Sequence, residues 1–289
     1  MFTQKILIDC LKSMIIKQTF SISGSDNKPM LADLTSDTSN LEAPLILFVH
    51  GFKGFKDWGT HNLAAEFFAE NGFRFLKFNF SHNGTTPEHP TEFADLGAFS
   101  DNTFTKEFYD LDRVISYACS GKDFEAAKNL FLIGHSRGGG ISIIQAEKDE
   151  RIEKLVTWAS IADFSSLWKR EQVNEWREKG VIYTFNTRTK QNTPLKVNLL
   201  YDLEKHRSEY SITKAAQRLT KPWLIIQGDE DENVTPDQAE LLKQQNEIAE
   251  LQLIGGANHV FGAFHPFTDA ELPEHMKLVC EKSIDFFKK

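Results

Sequence analysis

The sequence has few of the features that would associate a protein with an oxidising compartment, nucleic acid or a membrane. Its three cysteines, Cys10, Cys119 and Cys280, show no metal-ligand spacing and are typical of reduced thiols in a cytoplasmic protein. No run approaches the roughly 18 apolar residues that span a bilayer. The formal net charge of -8 disfavours nucleic acid and anionic membrane surfaces, because both bind clustered cations. We therefore expect a cytoplasmic protein with neither a nucleic acid nor a membrane as partner.

We also predict no targeting segment, repeat or linker. The N-terminal stretch MFTQKILIDCLKSMII is partly apolar, but Asp9 and Lys12 interrupt it and no small-residue cleavage site follows, so we predict no secretory signal. There are no internal repeats or low-complexity tracts. A chain of 289 residues is near the upper size for one hydrophobic core. These observations predict a single domain over residues 1–289.

Apolar runs alternate with amphipathic segments along most of the chain. Residues 15–36 alternate in polarity around a GSDN turn, which predicts an antiparallel hairpin. A continuous apolar run predicts a strand buried on both faces at 44–50, and further strands are predicted at 73–80, 129–135, 154–160, 222–228 and 250–254. Helical spacing predicts helices at 61–71, 104–119, 236–246 and 270–288, with one more after Gly138. Alternating strands and helices predict an α/β fold with a mostly parallel sheet and helices on both faces.

Two segments depart from this alternation. Residues 81–103 are polar and contain two prolines, so we expect a long surface loop. Residues 165–219 are rich in charge, with aromatic residues interleaved, and lie between two predicted core strands. We interpret residues 165–219 as a small cap inserted over the open edge of the sheet.

A serine lies between glycines in GHSRG, residues 134–138, directly after a predicted strand and before a predicted helix. Gly-x-Ser-x-Gly alone is a weak signal, but this strand–turn–helix context is where such a turn presents a nucleophile. Small residues on either side let strand and helix approach closely. The helix N-terminus behind the serine favours developing negative charge. Ser136 is therefore a candidate nucleophile, and its alternative role is an N-cap hydroxyl.

A serine nucleophile needs a histidine base and an orienting acid, which in this architecture follow in the order serine, acid, histidine. His259 lies in a glycine-flanked loop after the strand 250–254. Asp231 lies in the acidic segment after the strand 222–228. Asp229 and Asp163 remain alternative acids. Active sites of open α/β sheets gather at the carboxyl ends of parallel strands, where all these residues are predicted.

Acyl transfer also requires two backbone N–H groups that bind the oxyanion. One is expected from Arg137, the residue after the serine. The loop VHGFKGF, residues 49–55, follows an early central strand and predicts Phe52 as the second donor. A tight turn without function is the alternative interpretation of this loop.

The motifs FVHGF, GHSRGG, GDEDENV and ANHVF together resemble the α/β-hydrolase superfamily over nearly the whole chain. Within it, the sequence resembles compact serine esterases related to cinnamoyl or feruloyl esterases and dienelactone hydrolases. The resemblance implies an eight-stranded sheet, a Ser136–Asp231–His259 triad, Phe52 and Arg137 as oxyanion donors, and no cofactor. Arg137 departs from the neutral residue of many such esterases. Its side chain would favour an acidic substrate or pair with a nearby carboxylate.

The reaction expected is hydrolysis of a small-molecule carboxylic ester through an acyl-enzyme. Trp168, Trp176 and Tyr183 of the cap are candidate pocket residues, or they simply pack the cap against the sheet. A thioesterase, a small aminopeptidase and a non-catalytic ligand-binding protein of this fold remain alternatives, and a homodimer remains open. The histidine pairs of a metal hydrolase, His82 with His89 and His265 with His275, lack ligand spacing. We therefore expect no metal and interpret these histidines as surface residues.

Overall fold

A computed structural model of the protein describes residues 14–186 and 190–289. Cys10 and nearly all of the N-terminal stretch considered as a secretory signal lie outside the described residues, as do residues 187–189 of the predicted cap. Among the helices of the described residues, none combines the length and apolarity needed to cross a bilayer.

The described strands form one large sheet and one small one. In chain order they are β1 (Ile15–Ser23), β2 (Pro29–Asp37), β3 (Leu45–Val49), β4 (Arg74–Phe78), β5 (Leu130–His135), β6 (Ile152–Trp158), β7 (Val181–Asn186), β8 (Gln191–Lys196), β9 (Trp223–Gly228) and β10 (Glu250–Ile254). The large sheet has the order β1-β2-β4-β3-β5-β6-β9-β10. Strand β1 forms the predicted hairpin with β2, and β2 is antiparallel to β4. The other neighbours pair in parallel, which confirms the mostly parallel eight-stranded sheet.

Nine helices accompany these strands within the described residues. They are α1 (His61–Glu70), α2 (Leu96–Ser100), α3 (Phe104–Ala118), α4 (Arg137–Lys148), α5 (Arg170–Lys179), α6 (Asn198–Lys205), α7 (Ile212–Arg218), α8 (Pro236–Gln245) and α9 (Glu274–Lys288). Helices α1 and α9 pack on one face of the sheet, whereas α3, α4 and α8 pack on the other. Helices therefore cover both faces, as the alternation predicts.

The central strand β3 explains why the apolar runs are continuous. Its five residues are buried. Leu45, Leu47 and Val49 belong to the cluster under α3 and α4, whereas Ile46 and Phe48 belong to the cluster under α1 and α9. Successive side chains of a strand point to opposite faces, and because β3 is covered on both sides, both sets of its side chains are apolar.

The segment 81–103 is only in part the surface loop that its polarity predicts, because nine of its residues are buried. Phe93 and Phe99 are only 2% and 3% exposed, and they anchor the segment in the core beside the short helix α2. His82 is also buried, so its interpretation as a surface residue is wrong, whereas His89 is exposed. The polar composition of this segment is compatible with burial because its buried groups find hydrogen-bond partners, as Ser81 does with Asp110.

Between β6 and β9 the chain leaves the large sheet. This segment contains α5, the antiparallel pair β7–β8, α6 and α7. Trp168 and Trp176 of this segment are buried and belong to the main hydrophobic cluster. The single-domain assignment of residues 1–289 and the cap assignment of residues 165–219 stay predictions.

Candidate active site

Ser136 occupies a one-residue turn between β5 and α4. Its backbone has φ 56° and ψ -122°, a left-handed conformation that is costly for a residue with a side chain. The Ser136 N–H donates to the Trp158 carbonyl of the neighbouring strand at 2.9 Å. Because β5 ends at His135 and α4 begins at Arg137, the turn lifts the serine out of both elements.

The glycines around Ser136 are required by close packing. A side chain on Gly134 would place its Cβ 2.5 Å from both the Gly138 carbonyl oxygen and Ser142 Oγ. A Cβ on Gly138 would overlap the Val49 carbonyl oxygen of β3. Only glycine fits at these two positions, so the tight strand–helix approach predicted from the motif is present.

The structure brings Ser136, His259 and Asp231 into one hydrogen-bonded series. His259 Nε2 lies 3.1 Å from Ser136 Oγ, and His259 Nδ1 lies 2.8 Å from Asp231 Oδ2. Because a carboxylate can only accept, Nδ1 donates its proton to Asp231. The lone pair of Nε2 is then left for the serine hydroxyl. This geometry is the one in which an imidazole removes a proton from serine.

Asp231 is held rigidly in its ionised form. Its side chain is fully buried and accepts hydrogen bonds from the backbone N–H groups of Asn233 and Val234, each at 2.9 Å, and from Gln227 Nε2 at 2.9 Å. Burial by itself raises the pKa of Asp231, but the hydrogen bond and the charge of His259 and the other donors hold that pKa below its usual value. A negative charge therefore persists beside the imidazole.

The two alternative acids lie elsewhere. Asp229 is exposed and accepts the Gly256 N–H at 2.7 Å. Asp163 is exposed and caps a short helical turn by accepting the Ser165 N–H at 2.8 Å. Neither carboxylate is hydrogen-bonded to His259, whereas Asp231 is.

The loop 50–54 lies directly against Ser136. A Cβ on Gly51 would be 2.9 Å from Ser136 Cβ, so the chain passes the serine as closely as a glycine allows. Phe52 follows, and its backbone N–H makes no hydrogen bond within the described residues. The Arg137 N–H is the first of α4 and has no acceptor inside the helix. These two N–H groups, the predicted oxyanion donors, border the serine.

The Arg137 side chain turns away from solvent and pairs with a carboxylate. It is buried and forms an ion pair with the buried Glu107, which also accepts Asn102 Nδ2 at 2.7 Å. The guanidinium carbon lies 4.7 Å from the centre of the Phe52 ring. Of the two roles predicted for this side chain, the structure contains the carboxylate pair. Burial raises the pKa of Glu107, although the Arg137 charge opposes the rise.

A cavity of about 440 Å³ opens at Ser136. Its described lining residues are His50, Gly51, Phe52, Lys53, Gly54, Trp58, His61, His135, Ser136, Asn186, His259, Val260, Ala263, Phe264 and His265. Burial lowers the pKa of His50 to about 4 and that of His135 to about 3, so both are neutral near pH 7. His135 Nε2 lies 2.9 Å from the His259 carbonyl oxygen and holds the loop of the predicted base.

The three cap residues predicted to form the pocket do not line this cavity. The rings of Trp168 and Trp176 pack against each other with their centres 5.1 Å apart, and Trp176 Nε1 donates to the Leu195 carbonyl. Tyr183 is 64% exposed on β7. The cavity instead uses Trp58 and Phe264, which follow the FVHGF and ANHVF motifs within a few residues. Proximity to those motifs is the signal that could have identified them.

Residues 14–186 and 190–289 contain no group of three or more His, Cys, Asp or Glu side chains placed to hold a metal ion. The histidines of the cavity are engaged with neighbours, as His265 is through its Nδ1, which accepts the Gly59 N–H at 2.9 Å.

Curated and solved proteins that are similar to this chain include esterases. The acetyl esterase Axe7A of Xylanibacter ruminicola is 29% identical over 190 residues, covering 60% of this chain and 39% of that protein. The chain thus spans well under half the length of this curated relative. Est1E from Butyrivibrio proteoclasticus, solved with ferulic acid bound, superposes with a TM-score of 0.71 at 21% identity over 93% of this chain and 98% of its own.

A putative dienelactone hydrolase from Klebsiella pneumoniae superposes with a TM-score of 0.60 at 17% identity, over 96% of this chain and 99% of its own. These structural likenesses confirm the α/β-hydrolase fold that the sequence motifs predict. The profile of the prolyl oligopeptidase family matches residues 60–271, a stretch that contains Ser136, Asp231 and His259. Since this match extends over more than half of the chain, the protein belongs to the prolyl oligopeptidase family.

Proposed function

We propose that this protein is a serine hydrolase that cleaves carboxylic esters through an acyl-enzyme on Ser136. The observation that carries the proposal is the hydrogen-bonded series from Ser136 Oγ through His259 to the buried Asp231, beside a cavity of about 440 Å³. A serine on a strained turn, an imidazole with one ring nitrogen toward that serine and an ionised acid behind it are the parts that acyl transfer needs.

The reaction would proceed in two halves. Ser136 Oγ attacks the ester carbonyl carbon while His259 Nε2 takes the hydroxyl proton, and the N–H groups of Phe52 and Arg137 bind the oxyanion. Collapse of the tetrahedral intermediate breaks the bond to the alcohol oxygen, which leaves with the proton from His259. Water then attacks the acyl-enzyme with His259 as base, releases the carboxylic acid and restores Ser136.

An ester substrate is favoured over the alternatives by relatives and by the cavity. Axe7A is an acetyl esterase, and Est1E binds ferulic acid, the acid part of an aromatic ester. An aminopeptidase must bind an α-ammonium group, for which a carboxylate is the usual partner. No Asp or Glu is among the described lining residues of the cavity. These points support carboxylesterase activity over aminopeptidase activity.

Peptide hydrolysis is the second candidate, because the family that contains this chain is named for oligopeptidases. The same serine, imidazole and oxyanion donors serve amide and ester substrates alike. The two candidates differ in the leaving group that His259 must protonate, so only substrates distinguish them.

The test is hydrolysis by the purified protein of p-nitrophenyl acetate, methyl ferulate, an acyl thioester and a prolyl p-nitroanilide. We expect the two oxygen esters to have the highest kcat/KM. Ser136→Ala should lower that value by at least about 10³-fold with the fold unchanged by circular dichroism. Equal activity of Ser136→Ala and the native protein would refute the serine mechanism. A dominant p-nitroanilide rate would favour the peptidase.

A non-catalytic binding protein is separated from an enzyme by covalent labelling. A fluorophosphonate probe reacts only with a serine whose proton is taken by a base. We expect mass spectrometry to find the label on Ser136 in the native protein and none in Ser136→Ala. An unlabelled native protein would indicate a binding role.

A further inference from the structure

The cavity at Ser136 has a charge opposite to that of the protein as a whole. The chain has a formal net charge of -8, yet the described lining residues include one lysine, five histidines and no aspartate or glutamate. Asp231 lies behind His259 with its side chain fully buried, so its charge is not presented to the cavity. A ligand in this cavity therefore meets positive charge and N–H donors.

Lys53 is the cation responsible for this difference. It is half-buried, and its Nζ donates to the Phe185 carbonyl at 3.1 Å and lies 5.5 Å from the centre of the Phe52 ring. Nζ forms no ion pair with any carboxylate of the described residues. An ammonium group has three N–H donors, so two remain for a ligand. Burial lowers the pKa of Lys53, which reflects the cost of holding this charge without a counter-ion.

The neighbouring lysine of the same loop behaves differently. Lys56 is buried as well, but its Nζ lies 2.5 Å from both Asp33 Oδ2 and Asp57 Oδ2. Arg137, the other cation beside Phe52, is paired with Glu107. Burial of a charge is ordinarily accompanied by a partner of opposite sign. Lys53 is the exception, and it is the one of these three cations that lines the cavity.

We propose that Lys53 binds a carboxylate of the substrate, so that the preferred substrates are esters carrying a negative charge away from the scissile bond. This proposal rests on the esterase function proposed above and names its substrate class. Lys53 follows the oxyanion donor Phe52 in the chain, so the carboxylate is held beside the reacting carbonyl. The salt bridge so formed would be partly shielded from water, where charge-assisted hydrogen bonds are strongest.

The experiment uses two substrate pairs in which one carboxylate is either free or capped as its methyl ester. For the acyl side, mono-p-nitrophenyl glutarate is compared with its methyl-capped diester by following nitrophenolate release. For the alcohol side, 4-acetoxybenzoate is compared with methyl 4-acetoxybenzoate. We expect the anionic member of at least one pair to have a kcat/KM about tenfold higher, and 0.5 M NaCl to reduce that preference.

Three variants identify Lys53 as the cause. Lys53→Gln should lower kcat/KM for the preferred anionic ester by about tenfold, mainly through KM, and change that of the neutral ester less than twofold. Lys53→Glu should reverse the preference. Lys122→Gln, which removes the same charge from an exposed site remote from the motifs, should change neither substrate.

The competing explanation is that Lys53 only ties the end of β7 to the loop of Phe52. In that case Lys53→Gln would lower the rates of charged and neutral esters equally, and this result would overturn the proposal. An equal or greater kcat/KM for the neutral member of both pairs in the native protein would overturn it too. Failure here is distinct from failure of the esterase function, since the neutral esters would still be hydrolysed in a Ser136-dependent manner.

Discussion

Two clusters in this molecule each contain a serine, a histidine and an aspartate, and they differ in the order of their hydrogen bonds. In the first, His259 lies between Ser136 and Asp231. In the second, Ser81 lies between His82 and Asp110, with Ser81 Oγ 2.7 Å from both His82 Nδ1 and Asp110 Oδ2. The same three residue types therefore give two different chemical environments for a hydroxyl group.

The second cluster does not direct its serine proton at the histidine. Ser81 Oγ donates to Asp110 Oδ2, and His82 Nε2 faces both Lys106 Nζ at 3.0 Å and Asp26 Oδ2 at 3.2 Å. Burial and the Lys106 charge lower the pKa of His82 to about 4, which keeps the ring neutral near pH 7. Ser81 is only 4% exposed and is absent from the cavity lining. Chemistry thus depends on the direction of the hydrogen bonds and on access, not on composition.

Exchanging the histidine of each cluster should give the largest contrast. His259→Gln removes the base from Ser136, and we expect kcat for an activated ester to fall by about 10⁴-fold or more. His82→Gln should leave kcat within about threefold and instead lower the free energy of unfolding by about 1–3 kcal/mol, because buried partners lose hydrogen bonds. Steady-state kinetics and urea unfolding measure both; a large loss of kcat in His82→Gln would remove the distinction between the clusters.

Replacing the aspartates should repeat the contrast at a smaller scale. Asp231→Asn leaves the shape of the site but favours the wrong imidazole tautomer, and we expect kcat to fall by about 10³–10⁴-fold. Asp110→Asn exchanges one acceptor of the Ser25 and Ser81 groups for a donor. We expect it to affect stability rather than kcat once the protein is folded. If both variants lost activity to the same degree, Asp110 would have to act in catalysis.

The two aspartates should also respond oppositely to pH. Burial raises the pKa of Asp110 to about 6, so the folded state binds its proton more tightly and stability falls as pH rises from about 4 to about 6. The pKa of Asp231 is lowered, so its contribution is present above about 3.9 and is lost as pH falls.

Unfolding free energies at pH 4, 5, 6 and 7 check the sign for Asp110. We expect the advantage of the native protein over Asp110→Asn to shrink by about 2–3 kcal/mol across that range. An advantage that is constant or grows with pH would contradict the raised pKa.

Access to the cavity is the second difference between the clusters. Substitutions that alter this access should change the kinetics less than those of the histidines and aspartates. Trp58 lines the cavity, so Trp58→Ala should raise KM for an aromatic ester by about fivefold with little change in kcat. Tyr183, predicted from the sequence as a pocket residue, is exposed and outside the lining. Tyr183→Ala serves as the matched control and should change KM less than twofold. If Tyr183→Ala raised KM more than Trp58→Ala did, the pocket in the cap that the sequence predicts would be supported instead.

Much of the fold was predictable because its signals are local. The apolar runs of β3 and of residues 223–226 in β9 indicate strands covered on both faces, and alternation around a turn indicates the hairpin β1–β2. The segment 81–103 was not predictable in the same way. Phe93 and Phe99 anchor it through contacts with residues distant in sequence, which local polarity does not report.

The same distinction between local signals and long-range contacts applies to the candidate site. Ser136 was identifiable because the glycines around it are demanded by one tight turn. The choice of Asp231 over its neighbour Asp229 depended on which carboxylate the loop buries toward His259. The pairing of Arg137 with Glu107 joins residues 30 positions apart, and no spacing rule connects them.

By itself, the sequence determined the strand and helix pattern, the strained serine turn and the order of serine, acid and histidine, because backbone conformation and burial period are properties of neighbouring residues. Only the tertiary structure decided which aspartate faces the imidazole and which aromatic residues border the cavity. It also decided which of the buried or half-buried cations near Phe52 has no carboxylate partner among the described residues. Those outcomes depend on distances between side chains far apart in the chain, and a distance of a few ångströms separates a hydrogen bond from none.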